Sequence, residues 1–94
     1  MFMSKITRHL IAYDISCDKE RYKVSKILEG FGFRVQESVF ECDLTTQLKG
    51  RLIAKLEHLQ IETGFVSIYP LGSHKPKDIG NAPPRINENY SFVI

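Results

Sequence analysis

The sequence predicts an α+β domain of ferredoxin-like type: a βαββαβ sandwich with one sheet, two helices on one of its faces, and an extra C-terminal strand. Three observations predict it. Short runs of β-branched and aromatic residues alternate with two stretches whose apolar residues recur at helical spacing. Gly, Ser, Asp and Pro punctuate the boundaries. At 94 residues, the chain has space for one hydrophobic core.

Each element has its own signal. Arg8–Ile15 is a short apolar run that predicts a central strand buried on both faces. Ser16 and Asp18 are good N-cap residues, and Val24, Ile27, Leu28 and Phe31 then recur on one helical face, with Gly30 and Gly32 as the stop. The stretch Phe33–Cys42 alternates like a strand with an imperfect inner face; one bent strand or two short ones meeting near Glu37-Ser38 both satisfy it. Asp43 or Thr45 can cap a second helix, whose stripe is Leu48, Leu52, Leu56 and Leu59 and which Gly64 is expected to end. Phe65–Leu71 alternates again and is expected to close at Pro70. Residues 1–71 therefore form the ferredoxin-like unit. Residues 72–94 are read as an exposed connection followed by a strand, Asn89–Ile94, that needs a sheet edge, expected on a partner protomer.

Composition excludes several classes. No apolar run reaches the roughly 18 residues of a membrane span. The first eight residues lack the apolar centre of a secretory signal, so a cytoplasmic protein is expected. Cys17 and Cys42 form neither a disulfide framework nor a C-x-x-C pair, and His9, His58 and His74 are too scattered to complete a zinc site. A chain this short buries only somewhat more than about 60% of its unfolded surface, which favours a homodimer that covers more. The net charge is +2, with an excess of positive residues in 1–36. The sequence pI of 8.6 leaves phosphate binding open.

Few residues have chemistry to offer. Asp14 stands near the C-terminal end of an apolar strand, where it either caps the next helix, pairs with Arg21 or Arg34, or serves a site. Mg²⁺ is commonly held by one or two carboxylates plus water, and a two-fold dimer would supply two copies of Asp14. Arg21 and Arg34 are able to fork onto a phosphate or form structural ion pairs. Lys19, Lys23 and Lys26 form a stripe on the polar side of the first helix, either a solvated face or a grip on a nucleic-acid backbone. Tyr13 and Phe40 are aromatics beside these groups, with a core or dimer contact the simpler role for Phe40. Cys17 lacks a sequence-adjacent histidine to activate it.

Tyr13-Asp14-Ile15-Ser16-x-Asp18-Lys19, Gly30-Phe31-Gly32-x-Arg34-Val35-Gln36-x-Ser38-Val39-Phe40-Glu41-Cys42 and Ser67-Ile68-Tyr69-Pro70-Leu71, in that order, resemble the CRISPR-associated protein 2 family. The resemblance runs from about Arg8 to Leu71. It implies a ferredoxin-like homodimer that works in CRISPR adaptation beside the integrase CRISPR-associated protein 1, and a metal-dependent endonuclease acting on RNA or double-stranded DNA. By the same resemblance Asp14 holds Mg²⁺ or Mn²⁺ across the two-fold, and Tyr13, Arg21, Arg34 and Phe40 fall on residues implicated in activity. Lys23 stands where some members have arginine, which keeps the charge and loses bidentate recognition. Two other readings remain beside the nuclease: an adaptor that binds duplex DNA and the integrase without cleaving, and a small RNA-binding module. The last lacks an aromatic pair for base stacking on a central strand.

Overall fold

The computed structural model describes residues 5–84. The elements run β1 (Thr7–Ile15), α1 (Asp18–Glu29), β2 (Gly32–Gln36), β3 (Val39–Leu44), α2 (Thr46–His58) and β4 (Gly64–Gly72). The sheet order is β2-β3-β1-β4, and all three pairings are antiparallel. This is the ferredoxin-like arrangement the element order predicts. The expected C-terminal strand at 89–94 lies outside the described residues, as does the rest of the tail from 85.

Both helices lie on one face, and that decides what β1 buries. His9, Ile11, Tyr13 and Ile15 are buried, whereas Arg8, Leu10 and Ala12 are half-buried and Asp14 is exposed. The expectation of a strand buried on both faces is thus corrected: a central position in an antiparallel sheet covers the strand's edges, not its second face. Under the helices, Ile11, Tyr13, Ile15, Phe40, Cys42 and Leu44 pack with Val24 and Leu28 of α1 and Leu52 and Leu56 of α2. Leu48, at the start of the α2 stripe, overhangs this core and is 36% exposed.

The punctuation is partly rearranged. Residues 33–42 resolve into β2 and β3, joined at Glu37-Ser38. Gly32 belongs to β2, where an added Cβ would lie 2.1 Å from the Glu41 carbonyl oxygen. Cys17, rather than Ser16 or Asp18, is the N-cap of α1, and its side chain makes no capping bond. Thr45 caps α2 by accepting from the Leu48 amide at 3.1 Å. Gly64 does not end α2: the helix stops at His58, Gln60 takes the left-handed conformation with φ 55°, and Gly64 opens β4. Nor does Pro70 close β4, which continues to Gly72 with a register shift opposite Arg8 and His9. An edge strand tolerates proline because one side of it has no ladder to complete.

Residues 73–84 have neither helix nor strand. Pro76–Pro83 and the residues Leu10, Val35, Val39 and Glu41 line one cavity of about 640 Å³, so this segment lies over part of the sheet face that the helices leave open. Among the described residues, no helix is long and apolar enough to cross a membrane.

Candidate functional site

The C-terminal end of β1 gathers most of the polar residues that the sequence singles out. Asp14 projects there from a strand paired on both sides, opposite Phe65 of β4. Its carboxylate is exposed and makes no hydrogen bond or ion pair among the described residues. The capping and ion-pair alternatives are therefore not realised.

Arg21 leaves α1 one turn after the helix start and folds back over the strand end. Its Nη1 donates to the Ile15 carbonyl at 2.6 Å, and its Nη2 pairs with Asp18. Arg34 extends from the edge strand β2, directly opposite Phe40. Its guanidinium carbon sits 4.9 Å from the Phe40 ring centroid, and its Nη1 donates to the Glu37 carbonyl. The Tyr13 hydroxyl donates to that same carbonyl at 3.3 Å, and the Tyr13 and Phe40 rings lie 6.5 Å apart. Tyr13, Arg34 and Phe40 are thus one unit, gripping the turn between β2 and β3. Phe40 is completely buried and Tyr13 is 5% exposed, so Phe40 acts on the site only through what it supports.

These groups surround a cleft of about 520 Å³ between α1 and the β2–β3 turn, lined by Asp14, Arg21, Tyr22, Arg34 and Ser38 among others. Two guanidiniums, each anchored to a main-chain carbonyl by one nitrogen, have further N–H groups to offer an anion. Lys19, Lys23 and Lys26 do not line it. They are exposed along α1, where Lys26 approaches Glu29 at 3.5 Å and lies 5.5 Å from the Tyr22 ring centroid. The lysine stripe thus borders the cleft through Tyr22 without lining it.

As to metals, no group of three or more His, Cys, Asp or Glu suited to an ion occurs among the described residues. At the end of β1 the one carboxylate carried on the strand itself is Asp14, with Glu37 of the β2–β3 turn and the Arg21-paired Asp18 also lining the cleft. Asp14 by itself is half of what a Mg²⁺ site built from two carboxylates and water requires.

Sequence reasoning missed Glu20 and Thr63. Glu20 accepts from the Glu62 amide at 2.9 Å, the Thr63 amide at 3.0 Å and the Thr63 hydroxyl at 2.6 Å. The Thr63 hydroxyl, then the Glu62 amide, hold its carboxyl below the usual value. A signal existed: Glu20 stands three residues after the N-cap, the spacing of a capping box, but Cys17 lacks the hydroxyl that completes the pattern.

The fold and the cleft define a small ferredoxin-like domain that presents an unpaired carboxylate and two anchored arginines at the end of its central strand. Among such domains the chain belongs to the Cas2 family: the family model described as "CRISPR associated protein Cas2" matches residues 7–79. Over 91 residues the chain is 44% identical to "CRISPR-associated endoribonuclease Cas2 1" of Chloroflexus aurantiacus, covering 92% of this chain and 98% of the relative. It is 42% identical over 89 residues to "CRISPR-associated endoribonuclease Cas2 3" of Synechocystis, covering 92% and 97%. A crystal structure of a hypothetical protein from Thermus thermophilus superposes with a TM-score of 0.79 at 32% identity, covering 85% of this chain and 98% of that one. A chain of a "Partial Cas6-RT-Cas1--Cas2 complex" superposes with a TM-score of 0.55 at 33% identity, covering 71% and 80%.

Proposed function

We propose that the chain is an endonuclease of CRISPR adaptation that cleaves phosphodiester bonds in RNA or DNA and works as a homodimer beside the CRISPR-associated protein 1 integrase during spacer acquisition. The observation that carries this reading is Asp14. A carboxylate left exposed and unpartnered on a rigid strand, beside two arginines that are held in place, has the placement of a working group rather than a structural one. The endoribonuclease names of the relatives, and the complex that contains a structural neighbour, support the activity and the integrase partnership.

The sheet face that the helices do not cover supports the homodimer. Phe65 and Tyr69 are 59% and 52% exposed there, in register with Asp14 and Leu10. A second copy laid on this face would cover both aromatics and bring a second Asp14 toward the first. The two Asp14 carboxylates are the residues that would hold Mg²⁺ or Mn²⁺. The chemistry of such an ion when bound is to lower the pKa of a water and offset charge on the scissile phosphate. Arg21 and Arg34 bind and orient the phosphate, and their anchoring to the Ile15 and Glu37 carbonyls limits the rearrangement needed as negative charge develops. Tyr13 and Phe40 hold Arg34 and its turn. Lys19, Lys23 and Lys26 steer the polyanion and bind it outside the cleft.

The test is Asp14→Asn in a stringently purified protein, assayed on RNA and on duplex DNA with added Mg²⁺. Cleavage should fall by about 100-fold or more, the scale of removing one transition-state contact; a variant that cleaves like the parent would overturn the reading. A second reading, an architectural adaptor that binds duplex DNA and the integrase without cleaving, is favoured by the lack, among the described residues, of any group of three or more side chains suited to hold a metal, and by the exposed lysine stripe on α1. Asp14→Asn that loses cleavage but retains spacer acquisition would show both roles on one scaffold. Phe65→Lys should shift the sedimenting species from dimer to monomer, and an unchanged dimer would remove the open face as its interface.

A further inference from the structure

The start of α1 is completed by another part of the chain. In a capping box, the N-cap hydroxyl and the N3 carboxylate satisfy each other's amides within one turn. Here the N-cap is Cys17, without a side-chain bond, and Glu20 is at N3. Thr63 is inserted between them: the Cys17 amide donates to Thr63 Oγ1 at 3.0 Å, and the Thr63 hydroxyl donates onward to Glu20 Oε1 at 2.6 Å. The Thr63 and Glu62 amides donate to Glu20 Oε1 and Oε2. The Thr63 carbonyl accepts from the Ser16 amide at 3.1 Å and the Ser16 hydroxyl at 3.2 Å. A capping box has become a relay across more than 40 residues of chain, joining the β1–α1 connection to the α2–β4 connection.

What the relay holds is the end of β1. Ser16 is two residues beyond Asp14, and Arg21 follows Glu20 directly and donates to the Ile15 carbonyl. Across the pairing, Gly64 packs so closely that an added Cβ would lie 1.9 Å from the Asp14 carbonyl oxygen. The Asp14 carboxylate and the Arg21 guanidinium of the cleft are therefore tied to a common point, Thr63. Neither Glu20 nor Thr63 lines the cleft.

We propose that Glu20 and Thr63 are positioning residues for the cleft, fixing Asp14 and Arg21 relative to one another through this hydroxyl-bridged relay. The inference rests on the reading of Asp14 as the carboxylate of the cleavage site. A displacement of about 1 Å at a reacting centre is enough to cost up to 10²-fold in rate, whereas a cap that only stabilised the helix would leave the turnover of the folded protein unchanged.

The experiment compares Thr63→Val, which keeps the shape and removes the hydroxyl, with Thr63→Ser, which keeps the hydroxyl, in the full-length chain. Thr63→Val should lower kcat for cleavage at least about tenfold, leave KM within about twofold, and speed amide hydrogen exchange at Ser16 and Cys17 in a protein with unchanged secondary structure. Thr63→Ser should restore both kcat and exchange protection. Should Thr63→Val fail to fold, Glu20→Gln takes its place with the same expected signs, because an amide has one acceptor oxygen where three donors converge. A parental kcat in Thr63→Val, or a Thr63→Ser as defective as Thr63→Val, overturns the proposal. Asp14→Asn in the same assay separates the two levels. An active Asp14→Asn overturns the site reading and the positioning role with it, and an inactive one beside a fully active Thr63→Val overturns the relay alone.

Discussion

The two ends of β1 treat carboxylates in opposite ways. Near its start, Arg8 forms a bidentate pair with Asp43 at 2.8 and 3.1 Å and comes within 3.6 Å of Glu41, and all three side chains are at most 12% exposed. Near its end, Asp14 stands exposed without a partner among the described residues. Both sets lie on the face that the helices do not cover, because Arg8 faces Asp43 and Leu10 faces Glu41 across the ladder. Burial makes the difference. Charges taken out of water must be paired and hydrogen-bonded, whereas a carboxylate left in water can wait for a ligand. The first end is where residues 73–83 border the sheet beside Arg8, Leu10, Glu41 and Asp43, and among the described residues no such segment borders the second.

The largest effect that tests this contrast is at the covered end. Arg8→Met should destabilise the fold by about 3–5 kcal/mol in denaturant unfolding, since it leaves two carboxylates buried without their guanidinium. The same substitution combined with Glu41→Leu and Asp43→Leu should recover most of the loss. A mild effect of Arg8→Met alone would mean that water or neighbouring groups satisfy these carboxylates without the guanidinium, and the contrast would fail.

At the open end, Asp14→Asn should leave unfolding free energy within about 0.5 kcal/mol of the parent, as expected for an exposed group with nothing to lose. A loss of cleavage without a loss of stability would sharpen the contrast. A variant that is much less stable would place Asp14 among the structural carboxylates.

The pH dependence is the smallest and most graded effect. Burial, partly offset by its hydrogen bond to the Thr7 carbonyl, pushes the His9 imidazole below its ordinary value of 6.5. The unfolded chain therefore takes up a proton first, and this contribution to stability, complete above about 6.5, is lost as the pH falls below it. Glu20 has the same sign lower on the scale: its stabilisation is present above the ordinary value of 4.5 and disappears as the pH falls through the depressed folded value. Thermal unfolding measured from pH 8 to pH 3 should show two successive losses, the first abolished in His9→Gln and the second in Glu20→Gln. A flat profile between pH 7 and 5 would mean that His9 is not shielded from solvent.

Much of this was legible in the residues. The two helical stripes, the β-branched runs and the position of Asp14 at a strand end are local patterns, and local patterns survive without a tertiary structure. The errors fell where a distant segment replaced a local signal. Ser16 and Asp18 are better caps than Cys17 by propensity, yet Thr63 supplies the hydroxyl, and no window around residue 17 contains it. Gly64 suggested a helix stop, but its lack of a Cβ answers the close approach of the Asp14 carbonyl across the sheet.

The sequence by itself determined the element order, the helix faces and the short list of residues with chemistry to offer, because hydrophobic periodicity and side-chain type act over a few residues. Which of those residues meet was decided only by the tertiary structure. The sheet order β2-β3-β1-β4 puts Arg34 beside the end of β1, sends Tyr13 into the core and Asp14 out of it, and buries one set of carboxylates while leaving another in water. Those outcomes depend on strand pairing and on which face the helices cover, and both are settled by long-range packing that no local pattern encodes.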